Sequence, residues 1–337
     1  MKLIIQLFFF CLVWPSGTQA AGNYAPASST YQVSYVDAEW NDTKRARMVP
    51  VRIYYPAAKQ GPLPVVIFSH GLGGDRNGYS YLGQYWASCG YVSVHLQHSG
   101  TDSAIWQNAG NIIEMALATK KAVTDLRNAI NRPLDVSFAI DRLTQLNGNP
   151  KALLHRKIDI NQIAVAGHSF GGFTSLAVAG QLFIMPNGKE TVFRDARVKA
   201  VIEMSAPKSF NDEQLDRVYG QITIPTFHMT GTRDDSPVGE TLASERRLSF
   251  DHMIHAEEYL MIFQGGDHMV FSGRWGKDDP KDQAFQRYVC RGSTAFLDAY
   301  LKGNTKAKAW LGGGAFEKEL GRLGTLEKKM PNHLTSP

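Results

Sequence analysis

The sequence predicts an α/β protein, with a mostly parallel central sheet carrying helices on both faces. Two observations lead there. Short apolar, β-branched runs at residues 64–69, 90–95, 163–166, 199–205, 222–230 and 259–263 read as strands. Helix-like stretches at 81–88, 120–145, 173–182 and 283–301 fall among them, the second broken at Pro133. With 337 residues, 43% of them hydrophobic, the chain can bury one large core, and its length does not demand two domains.

Residues 1–20 are a separate object. Lys2 gives a positive start, residues 3–13 are apolar, and Thr18-Gln19-Ala20 resembles a small-residue cleavage site. That is the pattern of a secretory signal peptide, too short to span a bilayer stably. It predicts export, to a periplasm or the exterior. Cys11 lies within the apolar stretch and follows no lipoprotein box, so lipidation is not expected. No later segment looks transmembrane. Residues 21–310 are expected to form the catalytic domain. Residues 311–337, with Gly312-Gly313-Gly314 and scattered lysines, are expected to be a loosely packed tail.

Residues 49–55 alternate as an early antiparallel strand. The buried strand at 64–69 runs into His70-Gly71-Leu72-Gly73-Gly74. This loop has no Gly-Lys-Ser/Thr and no dinucleotide fingerprint, which argues against a phosphate cradle. The run at 163–166 leads into Gly167-His168-Ser169-Phe170-Gly171, followed by a helix-like stretch. Strand, sharp turn and helix with a serine at the apex form a nucleophile elbow, in which flanking glycines let the backbone bend and the hydroxyl project. A Gly-rich turn with a solvated serine is the bland alternative.

Three further features stand in register with that serine. In an α/β-hydrolase arrangement the loop after the upstream strand and the residue after the nucleophile supply oxyanion-hole N–H groups, here Leu72 and Phe170. The strand at 222–230, with Pro225 near its start, ends in Gly231-Thr232-Arg233-Asp234-Asp235. Asp234 fits the place of a triad acid, and Asp235 is the open alternative. The run at 259–263 ends in Gln264-Gly265-Gly266-Asp267-His268, a loop histidine suited to general-base work. Ser169, Asp234 and His268 therefore follow the Ser, acid, His order of the α/β-hydrolase fold. The short connection at 206–221 leaves little or no room for a lid.

The other histidines read differently. His70 and His168 lie inside the motifs and are expected to be structural or pocket-lining. His95 and His98, with Asp102 nearby, could bind a metal. They are three apart, without a third ligand at metal-site spacing, so a supporting role beside the cleft is expected instead. No metal and no organic cofactor is expected. Cys89 and Cys290 lie on the first and last helices, which cover one sheet face in this fold. A disulfide is one reading and two buried thiols the other. The net charge of +5 is weak evidence, and without a basic stripe or reading motif nucleic-acid binding is not expected. Oligomeric state is not legible.

Several of these segments resemble a known group. Phe68-Ser69-His70-Gly71-Leu72-Gly73-Gly74, Gly167-His168-Ser169-Phe170-Gly171-Gly172 and His98-Ser99-Gly100-Thr101-Asp102 are similar to bacterial α/β hydrolases termed predicted dienelactone hydrolases, and to plasma-type platelet-activating-factor acetylhydrolases. Arg132-Pro133-Leu134-Asp135-Val136-Ser137-Phe138 and Gly265-Gly266-Asp267-His268-Met269 look like further marks of the bacterial group. True dienelactone hydrolases use a cysteine nucleophile, so Ser169 does not imply that substrate. The acetylhydrolases place their acid near the position of Ser205 here, which supports Asp234 and weakens transfer of phospholipid specificity.

These features predict a serine esterase that forms an acyl-enzyme on small-molecule esters, with short to medium acyl chains as the default. An acyltransferase on the same serine, or a phospholipid or polyester hydrolase, is the alternative. Tyr79, Trp106, Phe170, Met204 and Met269 are candidates to line the pocket.

Overall fold

A computed structural model describes residues 24–26, 30–58, 61–185, 187–272 and 280–331. The chain opens with an antiparallel pair, β1 (Val33–Asp42) and β2 (Arg47–Pro56). β3 (Leu63–Ser69), α1 (Ser80–Ser88) and β4 (Val92–Leu96) follow. A helical excursion, α2 (Ile112–Thr124) and α3 (Leu126–Gly148), leads to β5 (Ile158–His168) and α4 (Phe170–Ala179). A small hairpin, β6 (Leu182–Ile184) and β7 (Glu190–Val192), precedes β8 (Val198–Met204). Then come α5 (Leu215–Tyr219), β9 (Thr226–Arg233), α6 (Leu248–His252) and β10 (Glu258–Asp267). The chain closes with α7 (Pro280–Leu301), α8 (Thr305–Gly312), α9 (Ala315–Leu320) and β11 (Gly324–Lys329).

The main sheet has nine strands in the order β1-β2-β4-β3-β5-β8-β9-β10-β11. The six from β4 to β10 run parallel, and antiparallel pairs close both sides. Parallel strands need both faces covered, and β3 shows how the sequence meets that demand. Val65 and Ile67 point into one apolar cluster and Val66 and Phe68 into the other. The first cluster is capped by Val136, Ala139, Ile140 and Leu143 of α3 and by Leu176 of α4. The second is capped by Leu82 and Trp86 of α1 and by Phe285, Val289 and Phe296 of α7. Each such fully buried side chain contributes about 1.5–3 kcal/mol by leaving water. This is the architecture of an α/β hydrolase.

α1 and α7, expected from the sequence to be the first and last helices, share a sheet face, although α8 and α9 follow: Trp86 Nε1 donates to Ser293 Oγ at 3.0 Å across them. Cys89 and Cys290 lie buried in that same layer as thiols, not as a disulfide. Burial pushes the Cys89 thiol up to about 11, so it is no nucleophile at neutral pH.

Three expectations need correction. The helical break lies at Asp125, not at Pro133, which sits inside α3. Asp125 is extended and its carboxylate accepts the Arg127 N–H at 3.0 Å, capping a new helix. The strand expected from 222 begins only at Thr226, after Pro225. Residues 311–337 do not form a loose tail up to Lys329. Phe316 and Leu320 are buried, and β11 pairs with β10 as the outer strand of the sheet. The signal-peptide reading of residues 1–20 falls outside the described residues. Among the described residues no helix is long and apolar enough to cross a membrane.

Candidate active site

β5 ends at His168 and α4 begins at Phe170, leaving Ser169 alone at the apex. Its backbone has φ 55° and ψ −118°, a conformation costly for any residue with a Cβ. Neighbouring contacts hold it there. Ser169 N–H donates to the Met204 carbonyl at 2.8 Å. A Cβ on Gly171 would lie 1.8 Å from the Ser69 carbonyl oxygen, and one on Gly167 would lie 2.2 Å from the Gly171 oxygen. Only glycine lets the turn close this tightly against β3.

The structure brings together the three side chains expected to converge. His268 Nε2 lies 2.9 Å from Ser169 Oγ, and His268 Nδ1 lies 2.7 Å from Asp234 Oδ1. Asp234 follows β9, and His268 opens a 3-10 turn that follows β10. Asp267 caps that turn by accepting the Met269 N–H at 3.0 Å. Asp235 points elsewhere: it is exposed and accepts the Ala243 N–H at 2.8 Å.

The surroundings of Asp234 were only partly foreseen. The carboxylate is fully buried, and its Oδ2 accepts from Thr230 Oγ1 at 2.7 Å and from Ser205 Oγ. Ser205, just after β8, thus donates to the acid that follows the neighbouring strand β9. Arg246 was not anticipated at all. Its Nε lies 3.4 Å from Asp234 Oδ1 and donates to the Asp234 carbonyl at 3.0 Å. Its Nη1 donates to the carbonyls of Ser205 and Ala206 at 2.8 and 2.9 Å. Nothing near Arg246 in the sequence signals this role, because its partners are 12–41 residues away.

Further histidines support the site. His168 Nε2–H donates to the His268 carbonyl at 3.0 Å, and the Tyr79 hydroxyl donates to His168 Nδ1 at 2.6 Å. Burial holds His168 well below the usual imidazole range, so it is neutral. Tyr79, expected to line the pocket, is instead buried beneath it as the partner of His168. Met204 is likewise corrected: it is fully buried in the core under the elbow. Trp106 does lie over the glycine loop, since a Cβ on Gly73 would fall 2.0 Å from its ring. Met269 and Phe170 are half-buried.

Phe170 directly follows the serine, and Leu72 follows Gly71 in the glycine loop. A Cβ on Gly71 would lie 3.4 Å from Ser169 Cβ, which puts the glycine loop against the nucleophile turn. Among the described residues, neither the Leu72 nor the Phe170 N–H donates to a protein acceptor. His95 and His98 diverge. His95 stacks on Phe68 with centroids 4.9 Å apart, while His98 faces Asp135. Among the described residues no three potential ligands cluster as a metal site would require.

Comparison with known proteins bears on the fold. Residues 49–122 match the family model described as platelet-activating factor acetylhydrolase, isoform II. The chain is 27% identical over 234 residues to a platelet-activating factor acetylhydrolase of Canis lupus familiaris, covering 62% of this chain and 48% of that one. It is 29% identical over 232 residues to that of Bos taurus, with coverage of 62% and 48%. Against that of Cavia porcellus it is 31% identical over 155 residues, covering 37% and 34%. The chain thus spans about half, or less, of the curated relatives it matches. The chain thus has the α/β-hydrolase fold and is similar, over part of its length, to platelet-activating factor acetylhydrolases.

Proposed function

We propose that the protein is a serine carboxylester hydrolase working through Ser169, His268 and Asp234. The observation that carries this reading is the unbroken chain of contacts from Ser169 Oγ through His268 to Asp234, at 2.9 and 2.7 Å. His268 Nε2 takes the Ser169 proton as Oγ attacks the ester carbonyl. The Leu72 and Phe170 N–H groups receive the oxyanion, a stabilisation for which each donor typically contributes about 2.7–4 kcal/mol. His268 then protonates the departing alcohol. A water, deprotonated in turn by His268, attacks the acyl-enzyme, and Ser169 recovers its proton. Asp234 keeps the Nδ1–H tautomer and stabilises the imidazolium.

Short to medium acyl esters are the proposed substrates. The half-buried Phe170 and Met269, which follow the nucleophile and the base in the chain, are the apolar side chains offered for the acyl group. A phospholipid acetyl ester is a second reading, favoured by the names of the relatives. We further propose that the protein is exported, on the pattern of residues 1–20.

The test is a panel of p-nitrophenyl esters, thioesters, lactones, amides and acetylated phospholipids, with Ser169→Ala as blank. Turnover of at least one ester by the wild type, and none by the variant, is expected. Equal turnover by both would reject the proposal. Adding an acceptor alcohol and analysing products separates hydrolysis from acyl transfer.

A further inference from the structure

We propose that Arg132, with His98 and Asp135, forms a buried brace that positions the oxyanion hole without touching substrate. The inference rests on the hydrolase reading above. It gives a role to two sequence motifs that the acyl-transfer steps leave unused: Arg132-Pro133-Leu134-Asp135 and His98-Ser99-Gly100-Thr101-Asp102.

Both motifs meet beneath the glycine loop. Asp135 is fully buried and accepts from Arg47 Nε and Nη2 at 2.8 and 2.9 Å. Arg45 Nη2 lies 2.8 Å from the same carboxylate. His98 Nδ1–H donates to Asp135 Oδ2 at 2.9 Å, which leaves His98 Nε2 as an acceptor. The Ser69 hydroxyl fills that position at 2.6 Å. The resulting Ser69–His98–Asp135 chain resembles a triad in form. All three are buried at the foot of the loop, where no ester can reach, so it serves as a support.

Arg132 connects that support to the start of the glycine loop and to Phe170. Its Nη2 donates to Ser69 Oγ at 3.3 Å and to the His70 carbonyl. Its Nη1 and Nε donate to Thr101 Oγ1 at 2.6 Å and Thr174 Oγ1 at 3.0 Å. Its guanidinium carbon stands 4.6 Å from the centroid of the Phe170 ring. Burial pushes the Arg132 pKa down to about 9, yet the group remains a cation at neutral pH. Among the described residues no carboxylate pairs with it directly. A buried cation of this kind is costly unless every donor is used.

His98 reaches the other donor through His70. The His98 N–H donates to His70 Nε2 at 3.0 Å, so His70 carries its proton on Nδ1. That Nδ1–H donates to the Gly71 carbonyl at 2.6 Å, and the Gly74 N–H donates to the same oxygen at 3.1 Å. The Gly71 carbonyl and the Leu72 N–H belong to one trans peptide. Pinning the carbonyl therefore aims the N–H the opposite way. Donation into that carbonyl also polarises the peptide and strengthens its N–H as a donor.

Ser69→Ala and Arg132→Lys test the brace. Both are expected to lower kcat on a p-nitrophenyl ester at least tenfold while KM stays within twofold. Affinity for a trifluoromethyl ketone, which forms a tetrahedral oxyanion on the serine, is expected to weaken by the same factor. Melting curves check the fold. If Arg132→Lys does not fold, Ser69→Ala, which removes a single oxygen, decides alone. A kcat within twofold of wild type, or a lowered kcat with unchanged ketone affinity, overturns the brace. Ser169→Ala runs alongside. If it is inactive while Ser69→Ala behaves as wild type, only the brace is lost. If it is active, the hydrolase reading falls, and the brace with it.

Discussion

Replacing Asp234 by Asn keeps the shape of the acid and removes its charge. Asp234 Oδ1 faces His268 Nδ1, while Oδ2 accepts from Ser205 Oγ and Thr230 Oγ1. An amide must turn its NH2 toward one side. Turned toward His268, it donates to Nδ1 and forces the proton onto Nε2, so the imidazole cannot take the Ser169 proton. Turned toward Ser205 and Thr230, it requires both hydroxyls to reverse. In either case the negative charge facing the imidazolium is gone, and Arg246, 3.4 Å from Oδ1 in the wild type, loses the first of its carboxylate neighbours. Loss of the triad carboxylate costs about 10⁴ in kcat in the best-studied triad, so Asp234→Asn is expected to lose about 10³–10⁴, or roughly 4–5.5 kcal/mol. Asp235→Asn, whose carboxylate is exposed and accepts the Ala243 N–H, is expected to stay within about twofold of wild type. Initial rates on p-nitrophenyl butyrate, with circular dichroism to check folding, measure both. A folded Asp234→Asn within tenfold of wild type, or a greater loss in Asp235→Asn, refutes the assignment of the acid.

Two predictions concern stability. Gly171→Ala puts a methyl 1.8 Å from a backbone oxygen of β3, which no side-chain rotation can relieve, and should cost more than about 3 kcal/mol in urea unfolding. An unchanged urea midpoint would contradict the elbow geometry. His228 lies between Glu203 and Glu258, at 2.8 and 3.0 Å. Burial opposes its charging, but the two carboxylates prevail and raise its pKa to about 9. The unfolded value is about 6.5, so its contribution is fully present below about pH 6.5 and is lost as pH rises toward 9, a decline of up to about 3 kcal/mol. Unfolding free energies at pH 6 and 9.5 should show that decline in the wild type and not in His228→Gln; equal slopes would contradict it.

The parts of the fold and site that the sequence revealed are those written locally. The elbow, the glycine loop and the loops after β9 and β10 each pair an apolar run with small or polar turn residues, so strand, turn and candidate residue could be read together. Arg246, Ser205 and Thr230 were not legible in this way, because they reach Asp234 across elements and leave no periodic trace. α2 was missed for a different reason. Its first turns carry Ile112, Ile113, Met115 and Leu117, all exposed, so no buried stripe marks the helix. Its start is set by a cap, with Asn111 accepting the Glu114 N–H at 3.0 Å and Glu114 accepting the Gly110 N–H at 2.7 Å. β11 looked like solvated tail because it ends in lysines. Those lysines suit an outer strand, and Lys328 and Lys329 pair with Glu257 and Glu258. Tyr79 and Met204 were assigned to the pocket by residue type alone, and burial places both beneath it.

Reaction with a fluorophosphonate tests the central claim most directly, because only an activated hydroxyl attacks its phosphorus and expels fluoride, and the adduct mimics the tetrahedral intermediate. Peptide mapping by mass spectrometry after stoichiometric inactivation should place one adduct on Ser169, with labelling abolished in Ser169→Ala and strongly slowed in His268→Ala. An adduct on any other residue, or inactivation of Ser169→Ala at the wild-type rate, would contradict the account.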